Sequence, residues 1–477
     1  MEKKIERGKT SLALKVGFWY VASTFLAKSL SFVTTPLFSR MMNEHDYGEF
    51  ANFANWFTTL FIITSVEMFN TLPRAYYDFK DDYDEYNSSV TIASCGVAVI
   101  FYILFLICDK WIYNIVSIPT QYVHILFIAL MVQAGKQIYL TRERTLYRYK
   151  SVAALTALNL IVPTIIALLL VWVLPETYKL DGRVYGTYIP IALIDLGCTV
   201  YLIGKGRSFK TEYLKYAFKL SLPLFIHYLT TYLLTSTNVI ITKSVLGAKT
   251  AALVSIAISV IHILTVLFES LTGAVTTWIM DNLEQKREEK IYRDSMYYIL
   301  GLAVICLGII LFAPEVIWIL GGSKYQDATD LIPVLVVAIL IQTITSIFTI
   351  ILTYEKKVAK TAIFTAIAAV VSILAKIWLL PVYGKEILPL INLLVFLFLF
   401  IANYGLILGC GHKHIINIKF VSFVIIIFVL LAYLAPVLYT HLILRVSVIF
   451  VLALSVISIG FVKKREIVNL LKAFKRK

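Results

Sequence analysis

The sequence predicts an all-α polytopic membrane protein of about fourteen transmembrane helices. Three observations carry this. The 477 residues are 59% hydrophobic and only 15% charged, where a soluble domain carries about 25% charged residues. Mean hydropathy is +0.82. The apolar runs recur to the C-terminus, each near the ~20 residues that cross ~30 Å of hydrocarbon.

The first span runs roughly over 13–38 and contains Lys28. It is too long for the apolar core of a signal peptide and lacks an A-x-A site, so it is expected to be retained. A polar turn over Ser39–Gly48 leads into a second span that ends at about Leu72 and carries Glu67. The remaining twelve spans fall at approximately 89–108, 121–141, 152–174, 186–204, 219–243, 250–280, 296–319, 330–354, 361–380, 387–408, 420–439 and 445–462. The eighth is long enough to extend beyond a bilayer. The sixth is interrupted by Pro190 and Asp195.

Lysine and arginine in short loops set orientation. With a cytoplasmic N-terminus, 31 of the 44 fall in inside segments and 7 in outside loops. Both ends are therefore expected in the cytoplasm. The net charge of +15 then reads as an orientation signal whose partner is anionic inner-leaflet lipid, with no nucleic acid implied. The segment Lys463–Lys477 places Ile467, Leu470, Leu471 and Phe474 on one face, the pattern of an interfacial amphipathic helix. The five cysteines have no metal-ligand spacing, so free thiols and no metal or other cofactor are expected.

Ionisable groups are costly inside a membrane and usually face a wet cavity or a partner. Thr24, Lys28, Ser31 and Thr35 are spaced 4, 3 and 4 apart, on one helical face. Asn52, Asn55, Thr59, Glu67 and Asn70 follow a similar rhythm on the second span. This predicts the wall of an aqueous cavity, or a Lys28–Glu67 ion pair between packed helices. His227, Thr231, Thr235, Asn238 and Thr242 mark the seventh span, and Ser255, Ser259, His262, Glu269, Thr272 and Thr276 the eighth. Ser and Thr seams can equally bond one helix to another. Lys136, beside Gln133 and Gln137, joins the cavity candidates; Asp195 and Glu269 join Glu67 as candidates for ion coupling. Lys376 is expected to reach towards the outer interface.

A shift of about 203 residues lays span seven over span one. It matches Lys15 with Lys219, Arg40 with Lys243 and Glu67 with Glu269. Six spans separate the copies, so the repeat is parallel, and transporter sites lie at such repeat interfaces. The division expected is 1–204, 205–408 and 409–477, the last holding two extra spans and the basic tail.

Three features together carry a resemblance. They are the opening Lys15-Val-Gly-Phe-Trp19, the turn Met41-Met-Asn-Glu-His-Asp-Tyr-Gly-Glu-Phe50, and fourteen spans with basic inside loops and a parallel repeat. The chain resembles the polysaccharide repeat-unit flippases, the Wzx-type O-antigen and capsule exporters of the multidrug/oligosaccharidyl-lipid/polysaccharide exporter superfamily. The resemblance implies two six-span lobes around a central cavity, and a transporter of the bacterial cytoplasmic membrane. Its implied cargo is undecaprenyl-diphosphate-linked oligosaccharide, moved to the outer leaflet by alternating access. It implies drive by membrane potential or an H⁺ or Na⁺ gradient, and partnership with a polysaccharide polymerase and a chain-length regulator. It places Lys28 where a cation meets the diphosphate. Two departures stand in the second half: Leu246–Ala252 lacks the usual tyrosine, and Asn238 stands where a charged residue is common.

Two other readings compete. A multidrug exporter of the same superfamily favours an acidic cavity for cationic drugs. A membrane polymerase or ligase needs a large external loop with catalytic Arg or His, and the longest outside loops, Asp109–Gln121 and Pro175–Tyr185, are short.

Overall fold

The computed structural model describes residues 33–107, 116–412, 415–441, 445 and 447. Most of the first expected span, the fourteenth span and the basic tail lie outside the described residues.

Among the described residues twelve long helices account for expected spans two to thirteen. They are α1 (Glu44–Ser65), α3 (Tyr83–Ile107), α4 (Thr120–Thr145), α5 (Tyr149–Val173), α6 (Lys179–Gly206) and α7 (Thr211–Leu246), followed by α8 (Ala248–Glu284), α9 (Glu288–Leu311), α11 (Ile332–Tyr354), α12 (Val358–Tyr383), α13 (Ile387–Gly409) and α14 (Ile418–Thr440). Two short helices, α2 (Leu72–Asp78) and α10 (Ala313–Gly321), lie between them. The chain is an all-α, multi-pass membrane protein. Its outer faces carry the apolar stripes that lipid requires. On α5, Leu158, Ile161, Ile165, Leu169 and Trp172 recur every three or four residues and are about half exposed or more.

Four boundaries differ from expectation. The polar turn is short, because helix continues over 33–41 and α1 starts at Glu44. Asn43 caps α1, its side chain accepting from the Asp46 amide, and Glu44 and Asp46 complement the helix dipole. The second span stops at Ser65. Val66 and Glu67 both take left-handed φ, 46° and 54°, a 3-10 turn spans Met68–Thr71, and α2 restarts with Pro73 in its first turn. Proline is tolerated there, where its missing N–H has no helical partner. The expected span 296–319 breaks after Leu311, and Pro314 again sits in the first turn of the next helix, α10. The sixth span is unbroken, with Pro190 inside α6.

At 37 residues α8 reaches about 55 Å at 1.5 Å per residue, well beyond a bilayer core. The two segments of α7, Thr211–Ile226 and Tyr228–Leu246, meet at 41°. Pro223, one turn before the bend, lacks the N–H that would bond the Lys219 carbonyl.

Packing separates two groups. Helices α3 to α6 pack on one another, and α1 joins them through α3, α4 and α6. Helices α9 and α11 to α14 form the second group, with α8 packed on α11 and α7 on α12. The groups meet where α1 lies against α7 and α8. Helix ends also separate by charge. One end carries Arg142, Arg148, Lys205, Arg207, Lys286 and Lys357 and is called here the lysine-rich end. The opposite, lysine-poor end holds the starts of α1 and α8.

Candidate functional site

The two groups approach closely at the lysine-poor end. Gly48 of α1 lies directly under the Ala248 carbonyl that starts α8, with no room for a Cβ. Only glycine permits this approach. Around it Ser39 Oγ donates to the Leu320 carbonyl at 2.6 Å, and Arg40 donates to the Trp318 carbonyl at 3.1 Å. Lys324 Nζ donates to the Met42 carbonyl. Tyr47 meets Tyr325 edge to face with centroids 5.8 Å apart. Lys243 of α7 pairs with Glu49 of α1 at 3.1 Å.

Below this seal lies a cavity of about 610 Å³ between the two groups. Thr35 lines it from the helix over 33–41, Ile62 and Glu67 from the end of α1, and α7, α8, α11 and α13 close the other side. The polar seams supply Thr231, Thr235 and Asn238 from α7 and Ser259, His262 and Glu269 from α8. Tyr228, Tyr232, Gln342 and Asn392 add rings and amides. Glu67 accepts from Asn70 Nδ2 at 2.6 Å. The left-handed pair Val66–Glu67 ends α1 and turns this carboxylate to the wall. No lysine or arginine lines the cavity among the described residues.

The sequence candidates therefore divide. Glu67, Glu269, Asn238 and His262 share the cavity. Thr24 and Lys28 lie outside the described residues, so the Lys28–Glu67 pair is not described. Thr35, seven residues after Lys28, does line the cavity. His227 belongs to α7, and its side chain lies outside the described ones. Asn55 is not in the lining; its Nδ2 donates to the Ala51 carbonyl of its own helix at 2.8 Å. Asn52 turns to the Val116 carbonyl instead.

Lys136 and Asp195 stand apart from the cavity lining, inside the first group of helices. Lys136 Nζ lies 3.3 Å from Asp195 Oδ2 and donates to Asn159 Oδ1 at 3.3 Å. Asn159 Nδ2 donates to Asp195 Oδ1 at 2.7 Å. Their positions on α4, α5 and α6 point into the packing of those three helices. Lys376 differs from the expected snorkelling: it is fully buried, donating to Thr237 Oγ1 at 3.0 Å and to the Leu234 carbonyl at 3.3 Å.

Sequence reasoning missed the Glu49–Lys243 pair. Glu49 lay just past the expected turn, at the very start of a span, and Lys243 at the very end of one. The available signal was Asn43, an N-cap residue that starts α1 at Glu44 and so puts Glu49 in its second turn.

Comparison with known proteins gives a consistent frame. The family model described as "Polysaccharide biosynthesis protein" matches residues 13–280, and the MatE model matches 223–378. No curated protein matches the chain. Among solved structures the chain is similar to the lipid II flippase MurJ in an inward closed conformation, with 13% identity, TM-score 0.70, and coverage of 94% of this chain and 99% of that one. It is similar to an inward-facing multidrug resistance MATE family transporter of the MOP superfamily, with 14% identity, TM-score 0.64, and coverage of 81% and 96%. A MOP superfamily transporter from Pyrococcus furiosus Vc1 (DSM3638) gives 15% identity, TM-score 0.52, and coverage of 89% and 96%. At these identities the likeness is one of fold.

Proposed function

The chain belongs to the polysaccharide biosynthesis protein family, and we propose from that premise that it is a flippase for undecaprenyl-diphosphate-linked oligosaccharide. It acts in a bacterial cytoplasmic membrane by alternating access. Residues 1–204 and 205–408 are its two lobes, and 409–477 holds two further helices and a basic tail. The lysine-rich end and both termini face the cytoplasm, by the positive-inside rule. The polymerase and chain-length regulator of the same pathway are its expected partners.

One observation carries the reading. The cavity between the two groups of helices sets hydroxyls, amides, tyrosines and two carboxylates among aliphatic side chains of α7, α8 and α11, and is closed at the lysine-poor end by side-chain and backbone contacts. Such a lining suits a hydrated sugar, because each sugar hydroxyl finds a donor or acceptor in place of water. Lys28, seven residues before Thr35 in the sequence, supplies the cation for the diphosphate. Glu67 and Glu269, which the shift of about 203 residues aligns, both line the cavity and exchange the coupling H⁺ or Na⁺.

The test is export of lipid-linked repeat units in cells lacking their own flippase, at matched membrane levels. Wild type restores export, Lys28→Ala loses it, and Lys28→Arg recovers it. Full activity of the alanine variant removes Lys28 from the pathway.

A second reading has its own support. Two carboxylates and no described cation line the cavity, which fits a multidrug exporter of cationic compounds. Raised resistance to cationic dyes on expression, without complementation of export, favours that reading.

A further inference from the structure

The cavity lining changes along its length. Lys324, just ahead of α11, belongs to the seal, so α11 begins at the lysine-poor end. Helix α12 leaves the lysine-rich end at Lys357 and delivers the start of α13 to the opposite one. Gln342 is the eleventh residue of α11 and Asn392 the sixth of α13. Asn238 lies eight residues before the end of α7, at that same end. All three line the cavity. Gln342 is about 15 Å along its helix, whereas Glu269 is about 32 Å along α8, and Glu67 lies beyond the far end of α1. Three amides therefore sit under the seal, and the two carboxylates lie nearer the lysine-rich end.

Amides elsewhere in the spans bond back to their own helix. Asn55, Asn282 and Asn403 each donate to the carbonyl four residues earlier, at 2.8, 2.7 and 2.8 Å. The side chains of Asn238, Gln342 and Asn392 have no hydrogen-bond partner among the described residues. Asn238 and Asn392 are each only 5% exposed. Unpaired amides in a buried wall are disfavoured, so three on one wall, from three helices, mark a place shaped for a polar ligand. Around them the wall is apolar. Ala338 and Ile339 precede Gln342 by about one turn, and Phe396 follows Asn392 by one.

Each carboxamide carries both donors and an acceptor. A secondary amide points its N–H and its C=O in opposite directions, so it needs an acceptor on one side and a donor on the other. Carboxamides on three different helices supply both, and the apolar side chains between them suit a methyl group. An amide bearing a methyl is an acetamido group. We propose that this wall is a subsite for an acetamido sugar. Asn238, Gln342 and Asn392 bond the amide N–H and C=O, and Ile339 and Phe396 enclose the methyl. A plain hexose offers a hydroxyl at the same place and leaves part of this set unpaired. The inference rests on the lipid-linked sugar cargo proposed above and names the class of sugar that cargo carries.

The test is calorimetric titration of the purified full-length protein with two polyprenyl-diphosphate monosaccharides of equal chain length. One carries N-acetylglucosamine and the other glucose, so they differ only in an acetamido group against a hydroxyl. Wild type is expected to bind the acetamido probe about tenfold more tightly, because a site built to bond a polar group rejects the analogue lacking it. Gln342→Leu and Asn392→Leu keep the side-chain volume and remove the amide. Each is expected to bring the two affinities within about threefold, with little change for the glucose probe. Should either variant not fold, Gln342→Met or Asn392→Ala carries the same readout. Equal affinities in wild type, or a preference that survives both variants, overturns the subsite and leaves the flippase reading standing. Binding of neither probe overturns the subsite together with the cargo.

Discussion

Two sets of buried charge in this molecule look alike in sequence and differ in structure. Lys136, Asp195 and Asn159 close a triangle inside one packed group of helices. Glu67 and Glu269 face a cavity between groups. In the first set each charge is answered by a neighbour in the same packed group. In the second the groups sit on surfaces that the proposed alternating access would separate. A polar residue in a membrane helix is therefore an ambiguous sign; what it pairs with, and whether the partner shares its rigid group, decides what it can do.

The comparison breaks most sharply at Asp195. Asp195→Leu leaves the Lys136 ammonium buried without its carboxylate, a loss of about 3–5 kcal/mol, read as a lower melting temperature and lower membrane abundance. Lys136→Met/Asp195→Leu restores most of it. An Asp195→Leu protein of normal stability that no longer exports would place this pair with the functional set.

Gly48 sharpens the comparison from the other side. Gly48→Val puts a side chain into the Ala248 carbonyl and opposes closure of the lysine-poor end by about 1–3 kcal/mol. Distances between spin labels on α1 and α8 are expected to lengthen while helix content is unchanged. Unaltered distances would show that the seal lies elsewhere.

Glu67→Gln and Glu269→Gln test the cavity set directly. Stability is expected to change little, within about 1 kcal/mol, and export to fall with each. Unchanged export in both variants ends the coupling role of these carboxylates.

The smallest effect is at the lysine-rich surface. Partial burial disfavours the His412 imidazolium, but hydrogen bonds to Glu355 at 3.1 Å and Glu288 at 2.8 Å outweigh this and hold its pKa above the ordinary 6.5. The folded pKa is the higher one. The stabilisation is thus full below pH 6.5 and is lost as pH rises through the folded value. Melting curves of wild type and His412→Gln should converge on the alkaline side and separate on the acid side.

Much of the fold was legible in the sequence, because a membrane span announces itself by length and hydropathy. Spans two to thirteen all have their helices. The errors fall where local chemistry overrides a hydropathy window. Asn43 capped a helix earlier than the polar turn suggested, and the left-handed pair Val66–Glu67 broke a helix whose composition reads as continuous. The site was legible in part. The seams on α7 and α8 contain Thr231, Thr235, Asn238, Ser259, His262 and Glu269, which line the cavity, whereas Thr242, Ser255, Thr272 and Thr276 of the same seams do not. Spacing does not reveal the neighbour, so Lys136 and Asp195 were not recognised as partners, nor Lys376 as a fully buried group. Glu49 and Lys243 were hidden because each lay at the end of an expected span, where charge is ordinary.

The most direct measurement is transbilayer movement of a lipid-linked oligosaccharide by the purified protein in vesicles, read by accessibility of the sugar to an impermeant probe. A cysteine-free background carrying Glu49→Cys and Lys243→Cys allows the lysine-poor end to be locked by oxidation with a short dithiol that bridges the two sulfurs, and released by reduction. Movement is expected in the reduced protein, with its loss on oxidation and its return on reduction. Movement that continues unchanged with the end locked would contradict passage through this cavity.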